Sequence, residues 1–214
     1  MKEKFMQEIK KNKNIVVIII CLLLFGFILV NILNGQIAKF DTFIYKMIIS
    51  LKSNSVTTIL KFITELGSAK ALILITLICL IFIKSKKIGT SIAINLASIG
   101  LLNYLLKIII QRPRPPLEFR MVEESGFSFP SGHSMASLAF YGLIIYFLFK
   151  NINSKKTRNI ICTSLVLLIF LIGISRIYLG VHYASDVLAG LIFSVGYLAV
   201  YIPYILKLFE GKSK

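Results

Sequence analysis

Six long apolar runs occupy most of this 214-residue chain and constrain its fold more than any other feature. Hydrophobic residues make up 57% of the sequence, and the mean hydropathy is +0.83, which is more than a soluble domain of this length carries. Runs of this kind are typical of helices that cross a bilayer. We therefore predict an all-α integral membrane protein, a bundle of six transmembrane helices that forms one domain over residues 1–214. The runs are 15–33, 67–83, 88–110, 134–149, 160–174 and 187–206.

A more polar segment, residues 36–65, separates the first run from the second and is too polar to span a membrane. Its apolar residues recur at helical spacing, and its lysines lie elsewhere on the helical wheel. This pattern favours an interfacial helix between the first and second spans. A helix in the protein core explains the pattern equally well. The apolar residues are Phe40, Phe43, Ile44, Met47, Ile48 and Leu51, and the lysines are Lys39, Lys46 and Lys52.

The basic start of the chain, followed by an apolar run, also has the pattern of a secretory signal peptide. However, no small-residue cleavage site follows residues 15–33, and the length of this run suits a full span. We therefore predict that the run is retained as the first transmembrane helix.

All three cysteines, Cys21, Cys79 and Cys162, fall inside apolar runs. Cysteine in such surroundings behaves as a small packing residue, so we expect neither a disulfide nor metal binding from them. No cluster of Cys and His suits zinc. The sequence therefore predicts no metal site and no cofactor.

The net charge of +16 would suggest a nucleic-acid partner in a soluble protein. Here the basic residues cluster in short segments between apolar runs, where they set topology and contact anionic lipid. With six spans, four basic groups fall on one side, which the positive-inside rule makes cytoplasmic. We predict no nucleic-acid partner. The groups are Lys2, Lys4, Lys10, Lys11 and Lys13; Lys84, Lys86 and Lys87; Lys150, Lys155, Lys156 and Arg158; and Lys207, Lys212 and Lys214.

Two polar loops, residues 111–133 and 175–186, then share the opposite face of the membrane. The Ile-, Lys- and Asn-rich composition is associated with bacteria of AT-rich genomes. We therefore predict a multi-pass protein of a bacterial cell membrane whose polar clusters lie together on the extracytoplasmic side.

The chain has only two histidines, and His133 lies in the sequence Pro130-Ser131-Gly132-His133, directly before an apolar run. Glycine lets the backbone approach a ligand closely, and the amides at a helix N-terminus attract anions. An ordinary helix start has the same composition. The motif therefore gains meaning only in combination with the other clusters.

Three cations, Lys107, Arg112 and Arg114, close the third apolar run. Such residues commonly extend their charged ends toward the membrane interface. Here a proline follows each arginine, at positions 113 and 115, and restricts where the guanidinium can point. Arginine also suits multidentate contacts with phosphate, so the cluster favours anion binding.

The second histidine, His182, precedes Asp186 by four residues, which puts both on the same face of a helix. A carboxylate in this position can hold the imidazole Nδ1–H and leave Nε2 free as a nucleophile. A simple ion pair at a helix start is the alternative. Arg176, on the same predicted membrane face, favours the phosphate-binding interpretation.

Together these clusters resemble the signature of the type-2 phosphatidic acid phosphatase family, which shares its core with vanadium haloperoxidases. The family signature is K-x6-R-P, then P-S-G-H, then S-R-x5-H-x3-D. This chain matches every position in type, spacing and order over residues 107–186. The matching residues are Lys107, Arg114 and Pro115; Pro130, Ser131, Gly132 and His133; and Ser175, Arg176, His182 and Asp186.

The resemblance implies a metal-independent phosphatase with a phosphohistidine intermediate. His182 would attack phosphorus, Asp186 would orient it, and His133 would protonate the leaving oxygen and then activate water. Fixed cations would stand where magnesium stands in other phosphatases, and Arg112 has no role beyond contact with a lipid headgroup. The phosphoryl oxygens would be held by Lys107, Arg114, Ser131, the Gly132 amide and Arg176.

The resulting hypothesis is a lipid phosphate phosphatase whose substrate is phosphatidylglycerol phosphate, phosphatidate or undecaprenyl diphosphate. Its partners would be that lipid and the bilayer, and the sequence leaves its oligomeric state open. A lipid-linked phosphotransferase has the same intermediate and stays open as an alternative. A transporter or anion-binding membrane protein is another, since charges at the membrane edge often mark transport paths. The absence of an internal repeat speaks against transport.

Overall fold

The structure, a computed structural model, describes residues 2–210, with side chains described over residues 13–207. Regular structure in this range consists of eight α-helices and one 3-10 turn, Leu117–Phe119. The class is therefore all-α, as predicted. Two of the predicted cytoplasmic basic residues, Lys212 and Lys214, lie outside the described residues. The helices are α1 (Lys2–Leu33), α2 (Ala38–Ile49), α3 (Asn54–Glu65), α4 (Ala69–Phe82), α5 (Lys86–Ile110), α6 (Gly132–Asn151), α7 (Lys155–Tyr178) and α8 (Ala184–Glu210).

Five helices, α1, α5, α6, α7 and α8, are long and apolar enough to cross a membrane. The predicted second span, residues 67–83, corresponds to α4, which has only 14 residues. A span needs about 20 residues, so α4 is too short to cross alone. Together α3 and α4 are long and apolar enough, but they are bent by 48° at the break between them. The described chain thus has five candidate spans, or six if the bent pair forms one.

The break between α3 and α4 leaves backbone groups that lipid could not satisfy. Tyr141 of α6 donates its hydroxyl hydrogen to the carbonyl of Leu66 at 2.8 Å. The hydroxyl of Ser68 accepts the amide hydrogen of Ala71 at 3.3 Å and so caps α4. Non-helical backbone is tolerated at membrane depth when protein groups satisfy it in this way.

Helix α6 lies at the centre of the bundle, packed against α5, α7 and α8. Its Phe140 and Leu143 are fully buried beside Ile172 of α7 in the largest hydrophobic cluster. On the outer faces, large apolar side chains such as Leu23 and Phe82 are mostly exposed. Such a surface is stable against lipid and not against water, so this is the fold of a multi-pass membrane protein.

The polar segment at residues 36–65 forms two helices, α2 and α3, where the sequence predicted one. Helix α2 has two apolar faces. Ile44 and Ile48 pack against α7 and α8, as a core helix would. Phe43 and Met47 point away from the protein and are exposed, as in an interfacial helix. One face of α2 is thus packed as in a core helix, and the interfacial position of its other face stays a prediction.

Helices α5 to α8 alternate in direction, so the ends of α5 and α7 meet the starts of α6 and α8. The sequence placed His133 and Arg176 in loops, but both are helical. His133 lies in the first turn of α6, because the hydroxyl of Ser131 starts that helix by accepting the amide hydrogen of Ser134 at 3.4 Å. Arg176 lies in the last turn of α7, which continues to Tyr178.

The loop before α8 and the loop before α6 approach each other closely through their backbones. Gly180 has a φ of +69°, and a Cβ on it would lie 2.0 Å from the carbonyl oxygen of Phe119. The neighbouring amide of Met121 donates to the carbonyl of Leu179 at 2.9 Å. Only glycine allows both this conformation and this approach, so Gly180 fixes how the two loops meet.

We expect Gly180→Ala to destabilise the protein by more than the roughly 1–3 kcal/mol of a strained left-handed residue, because the loops must also separate. Gly35 has the same φ of +69° but open space around it, so Gly35→Ala is the matched control for backbone strain. Thermal unfolding in detergent should show a larger fall in Tm for Gly180→Ala. Equal falls in the two variants would mean that the close approach contributes nothing.

Candidate active site

The eight site residues predicted from the sequence converge at one end of the helix bundle. They come from the termini of four helices or from the loops next to those termini. Because the four helix ends meet there, clusters that are far apart in sequence become neighbours. Lys107 lies in the last turn of α5, Arg114 in the following loop, Ser131, Gly132 and His133 at the start of α6, Arg176 in the last turn of α7, His182 before α8 and Asp186 in its first turn.

His182 is buried, and both of its ring nitrogens have partners. Nη1 of Arg114 lies 3.1 Å from Nε2. A guanidinium has no lone pair to offer, so Nε2 must be the acceptor and Nδ1 must carry the hydrogen. The same Nη1 also donates to the carbonyl of Val181 at 2.9 Å. The Nε2 lone pair of His182 therefore faces a cation, and its Nδ1–H faces Asp186.

The carboxylate of Asp186 holds the other side of the imidazole. Its Oδ2 lies 3.4 Å from Nδ1 of His182 and also accepts the amide hydrogen of Tyr183 at 2.9 Å. The pairing expected from the four-residue spacing is present, but only Asp186 is helical. His182 precedes α8, and the turn at Tyr183 brings the imidazole back to the carboxylate. Asp186 is fully buried.

Two of the cations, Arg114 and Arg176, share one carboxylate. Arg176 Nη2 donates to Oε1 of Glu124, and Arg114 Nη2 lies 3.6 Å from Oε2 of the same residue. Arg176 Nη1 donates to the hydroxyl of Thr64 at 2.9 Å. The buried Nε of Arg176 has no hydrogen-bond partner among the described residues. The two arginines therefore hold an anionic group, and one buried donor remains for another acceptor.

Lys107 approaches the site from the end of α5. Its ammonium donates to the carbonyl of Phe127 and is 3.5 Å from the carbonyl of Ser128. Neutral acceptors thus hold Lys107, so its positive charge is not cancelled by a direct carboxylate contact of its own.

The start of α6 supplies the remaining predicted residues. The hydroxyl of Ser131 accepts a hydrogen bond from the hydroxyl of Ser134 at 2.9 Å, and the amide of Ser131 donates to the backbone carbonyl of Asp186 at 3.1 Å. Ser131 thereby joins α6 to α8. A Cβ on Gly132 would lie 3.0 Å from Oδ1 of Asn103, so this glycine permits tight packing of α6 on α5. His133 is half-buried and lies within electrostatic reach of His182.

The prediction for Arg112 is wrong. Its side chain is only 11% exposed, and it points inward rather than toward lipid headgroups. Nη1 lies 2.6 Å from Oδ1 of Asp186, and Nη2 lies 2.8 Å from Oδ2 of Asp41. A guanidinium only two residues from that of Arg114 thus contacts the opposite side of the His182–Asp186 pair.

Two acidic residues of this site, Asp41 and Glu124, were missed by sequence reasoning. Asp41 lies on the same face of α2 as Ile44 and Ile48, both of which pack against the protein. A carboxylate on such a face needs a buried partner, and this was the available signal. Glu124 follows another glutamate in an irregular loop, and no periodicity distinguishes it.

A cavity of about 650 Å³ opens beside His182. Its size is within the range of small-molecule sites, roughly 300–1,000 Å³. The end of α1, helix α2 and the loop after α5 form its walls, which are mainly apolar. Its polar lining includes Asp41, Lys46, Arg112 and Tyr183. An apolar ligand with an anionic end would fit such a space, its charged end at His182.

Burial controls the protonation state of His182. It lowers the pKa of the imidazole from 6.5 to about 4, although the hydrogen bond and the charge of Asp186 act in the opposite direction. Arg114 adds to the lowering. His182 is therefore neutral at neutral pH, as a nucleophile must be. Burial also lowers the pKa of Arg114, with Glu124 opposing it, and an arginine remains charged nonetheless.

No group of three or more His, Cys, Asp and Glu side chains is placed to hold a metal ion within the described part of the chain. The three cysteines are free, and Cys21 and Cys162 are buried.

Comparison with known proteins agrees with this geometry. A curated relative, phosphatidylglycerophosphatase B of Bacillus subtilis, is 34% identical over 201 residues, which cover 91% of this chain and 96% of the relative. The undecaprenyl-diphosphatase of Sulfolobus acidocaldarius is 26% identical over 179 residues, covering 81% of this chain and 82% of that protein. Both are named as phosphatases, so this chain is a phosphoric ester hydrolase.

Solved structures give the same result for the fold. The crystal structure of a transmembrane PAP2-type phosphatidylglycerolphosphate phosphatase from Bacillus subtilis superposes with a TM-score of 0.77 at 30% identity, over 92% of this chain and 97% of that one. LpxE of Aquifex aeolicus shares the fold, with a TM-score of 0.60 at 22% identity over 73% and 92% of the two chains. The sequence model of the PAP2 superfamily matches residues 88–210. The chain therefore belongs to the PAP2 superfamily, the family that its signature residues resemble.

Proposed function

We propose that this hydrolase removes a phosphate group from a membrane lipid by way of a phosphohistidine on His182. The observation that carries the proposal is the position of His182, whose Nε2 lone pair faces Arg114 and whose side chain also borders a mainly apolar cavity. A neutral imidazole aimed at fixed cations is arranged to attack the phosphorus of a bound phosphate ester.

In the first step, Nε2 of His182 would form a bond to phosphorus while the bond from phosphorus to the lipid oxygen breaks. The imidazole becomes positively charged as the bond forms. Asp186, 3.4 Å from Nδ1, stabilises this charge and keeps the ring in place. The site needs no movement of the imidazole beyond loss of its contact with Arg114.

The phosphoryl oxygens would occupy the space between Arg114 and Arg176. Glu124 now contacts both arginines there, and the incoming phosphate would take over from its carboxylate. The unpartnered Nε of Arg176 provides a further donor. Lys107, the hydroxyl of Ser131 and the Gly132 amide complete the proposed phosphate-binding set, since amides of a first helical turn have no acceptor within their own helix.

His133 would act as general acid and then as general base. A bound phosphate dianion adds negative charge beside His133 and favours its protonated form. That proton passes to the lipid oxygen as the ester bond breaks. His133 then takes a proton from water, whose oxygen attacks phosphorus, and the P–N bond breaks to regenerate neutral His182 and release phosphate.

The proposed substrate is phosphatidylglycerol phosphate, named in the function of the 34% identical relative. The apolar cavity beside His182 supports a lipid, because its walls at α1 and α2 suit a hydrocarbon chain better than a soluble sugar or nucleotide. Phosphatidate and undecaprenyl diphosphate present the same chemical groups and belong in the same assay.

We also propose that the site faces the outside of a bacterial cell membrane, with the whole chain, residues 1–214, acting as one unit. The bent pair α3 and α4 then counts as the second of six spans, and the outer face of α2, with Phe43 and Met47, lies in the interface. Basic residues at the other end of the described helices support this orientation through the positive-inside rule; they are Lys13, Lys84, Lys86, Lys87, Lys150, Lys155, Lys156, Arg158 and Lys207.

Purified protein in detergent or vesicles should release phosphate from phosphatidylglycerol phosphate faster than from phosphatidate or undecaprenyl diphosphate. Because the cations are side chains of the protein, the rate should persist in excess EDTA, and vanadate should inhibit competitively as a phosphate mimic. Phosphate release is measured for each lipid. Loss of activity in EDTA that magnesium restores would contradict the mechanism.

The variant that tests the nucleophile in this assay is His182→Ala. It should lower turnover at least about 10³-fold and change the Tm in detergent only slightly. Trapping with ³²P-labelled substrate should give an acid-labile phospho-enzyme in the parent protein and none in the variant. A labelled His182→Ala protein would place the covalent intermediate elsewhere.

The lowered pKa of His182 predicts activity under acidic conditions. In the free enzyme, His182 should stay neutral as the pH falls until it approaches about 4. The acidic limb of kcat/KM should therefore lie well below the value of about 6.5 for an ordinary histidine. The ionisation of the substrate phosphate is measured by ³¹P NMR, and the pH dependence of kcat/KM is corrected for it. If the acidic limb of the corrected kcat/KM still lies near pH 6.5, a solvated imidazole controls the rate.

Two single-cysteine variants test the orientation of the site. Ser125 lies in the loop before α6, and Asn153 lies between α6 and α7 at the other end of the bundle; both are exposed. In intact cells, an impermeant thiol reagent should label Ser125→Cys, but Asn153→Cys only after permeabilisation. The parent protein, whose native cysteines lie in helices, measures background. The reverse labelling pattern would put the site in the cytoplasm.

A further inference from the structure

Among the residues that the structure describes, Arg112 is the one largely buried cation of this site that contacts two carboxylates from different helices. Of its two terminal guanidinium nitrogens, Nη1 lies 2.6 Å from Oδ1 of Asp186 and Nη2 lies 2.8 Å from Oδ2 of Asp41. Its guanidinium carbon lies 4.1 Å from the centre of the Tyr183 ring. Two ion pairs and a stacked ring allow the guanidinium a single orientation.

Asp41 extends this arrangement into α2. Its Oδ1 accepts the amide hydrogen of Ser185 at 2.8 Å, and its Oδ2 accepts the Ser185 hydroxyl hydrogen at 2.8 Å. The same hydroxyl oxygen accepts a hydrogen bond from Arg112 Nη1 at 2.8 Å. Asp41 therefore caps the start of α8 from a helix that lies 144 residues earlier in the chain.

These contacts form a continuous line to the nucleophile. Oδ1 of Asp186 accepts a hydrogen bond from Nη1 of Arg112. Oδ2 accepts the amide hydrogen of Tyr183 and lies beside Nδ1 of His182. Both oxygens are thus fixed, and the carboxylate cannot rotate away from the imidazole. The site cations Arg114 and Arg176 lie on the other side of His182 and do not perform this task.

We propose that Arg112 and Asp41 are positioning residues for catalysis, which hold Asp186 ionised and oriented so that His182 keeps its hydrogen on Nδ1 and its lone pair on Nε2. The inference rests on the proposed function, since it assigns the nucleophile to His182. Neither residue touches the phosphate; both act through Asp186.

The charges explain why both residues are needed. Arg112 lies between two buried carboxylates, so the three groups carry one net negative charge. Without Arg112, Asp186 and Asp41 would repel each other in a low-dielectric site, and the Asp186–His182 pair would take up a proton at higher pH. A proton on the Asp186 side drives the imidazole toward the tautomer with hydrogen on Nε2, which has no lone pair for phosphorus.

Removal of the negative charge of Asp41 should shift the pH of proton uptake by the Asp186–His182 pair in the opposite direction. Arg112 then acts on Asp186 alone, and the pair should take up a proton only at lower pH. The other titratable or charged groups that face this pair from the neighbouring elements are Lys107, Arg114, Glu124, His133, Arg176 and Tyr183. They are unchanged in both variants, so the two shifts of opposite sign report on Arg112 and Asp41.

The test compares Arg112→Gln and Asp41→Asn with the parent protein, using kcat/KM for phosphate release across pH. We expect a loss of roughly 10²-fold for Arg112→Gln, with its acidic limb moved to higher pH. Asp41→Asn should lose less activity and move the limb to lower pH. Arg112→Lys keeps the charge without the fork, so it should recover part of the rate and the parent pH dependence.

Exposed residues provide matched charge controls. Lys39→Gln removes one positive charge from the outer face of α2, and Glu118→Gln removes one negative charge from the 3-10 turn; both residues are exposed. Both variants should keep the parent rate and acidic limb. A shift in Lys39→Gln as large as that in Arg112→Gln would overturn the proposal, because net charge alone would then explain it.

A second measurement does not depend on turnover. The chain has only two histidines, so ¹⁵N-histidine labelling of protein purified through a histidine-free tag gives two imidazoles, which His133→Asn assigns. The ¹⁵N shifts of His182 report its tautomer and the pH at which it binds a proton. That pH should rise in Arg112→Gln and fall in Asp41→Asn.

The outcomes separate the two proposals. In one outcome the parent protein cleaves none of the lipids, while the pH of His182 protonation still rises in Arg112→Gln and falls in Asp41→Asn. This result would end the lipid substrate assignment and keep the positioning role. An active parent protein whose Arg112→Gln variant has unchanged kcat/KM, acidic limb and NMR titration would end the positioning role and leave the phosphatase intact.

Discussion

Three arginines buried at one end of a helix bundle must be neutralised, and the architecture of that end follows from the way three carboxylates do so. Asp186 and Asp41 hold Arg112, while Glu124 holds Arg114 and Arg176. A buried charge without a partner costs several kcal/mol. The pairs therefore dictate which loops must meet. Helix α2, the loop before α6 and the start of α8 come together because each brings a group that another requires.

The sequence predicted the residues around His182, Asp186 among them, but not Asp41 and Glu124, the other two acids that hold the arginines. The signature spacing specifies Lys107, Arg114, Arg176 and Asp186, which the fold brings together with His182 at the ends of four helices. Asp41 and Arg112 lie 71 residues apart, and no local pattern relates them. The prediction for Arg112 was wrong for this reason. Snorkelling can be inferred from one side chain beside an apolar run, whereas the two carboxylates that Arg112 contacts are brought to it only by the fold.

Apolar runs located the helices well and their ends poorly. Helices α6 and α7 begin earlier than their runs, at Gly132 and Lys155, because serine caps at Ser131 and Ser154 start them among polar residues. The bend between α3 and α4 also escaped prediction. Tyr141 satisfies the carbonyl of Leu66 there, and a tyrosine in an apolar run gives no sign of the distant carbonyl that it will bind. Hydropathy measures how well a segment tolerates lipid, and these features depend on hydrogen bonds instead.

The carboxylate of Glu124 makes anion binding at this site an exchange reaction. Any incoming ion gains only the difference between its own contacts with Arg114 and Arg176 and those that Glu124 already makes. A monovalent ion such as chloride replaces one negative charge with another and has fewer acceptor atoms, so it gains nothing from the exchange. A phosphate dianion brings a second charge and more oxygens, one of which can reach the unpartnered Nε of Arg176. At the proposed phosphate site, the loop that carries Glu124 would therefore favour a phosphate dianion over abundant small anions, although the pocket stays open.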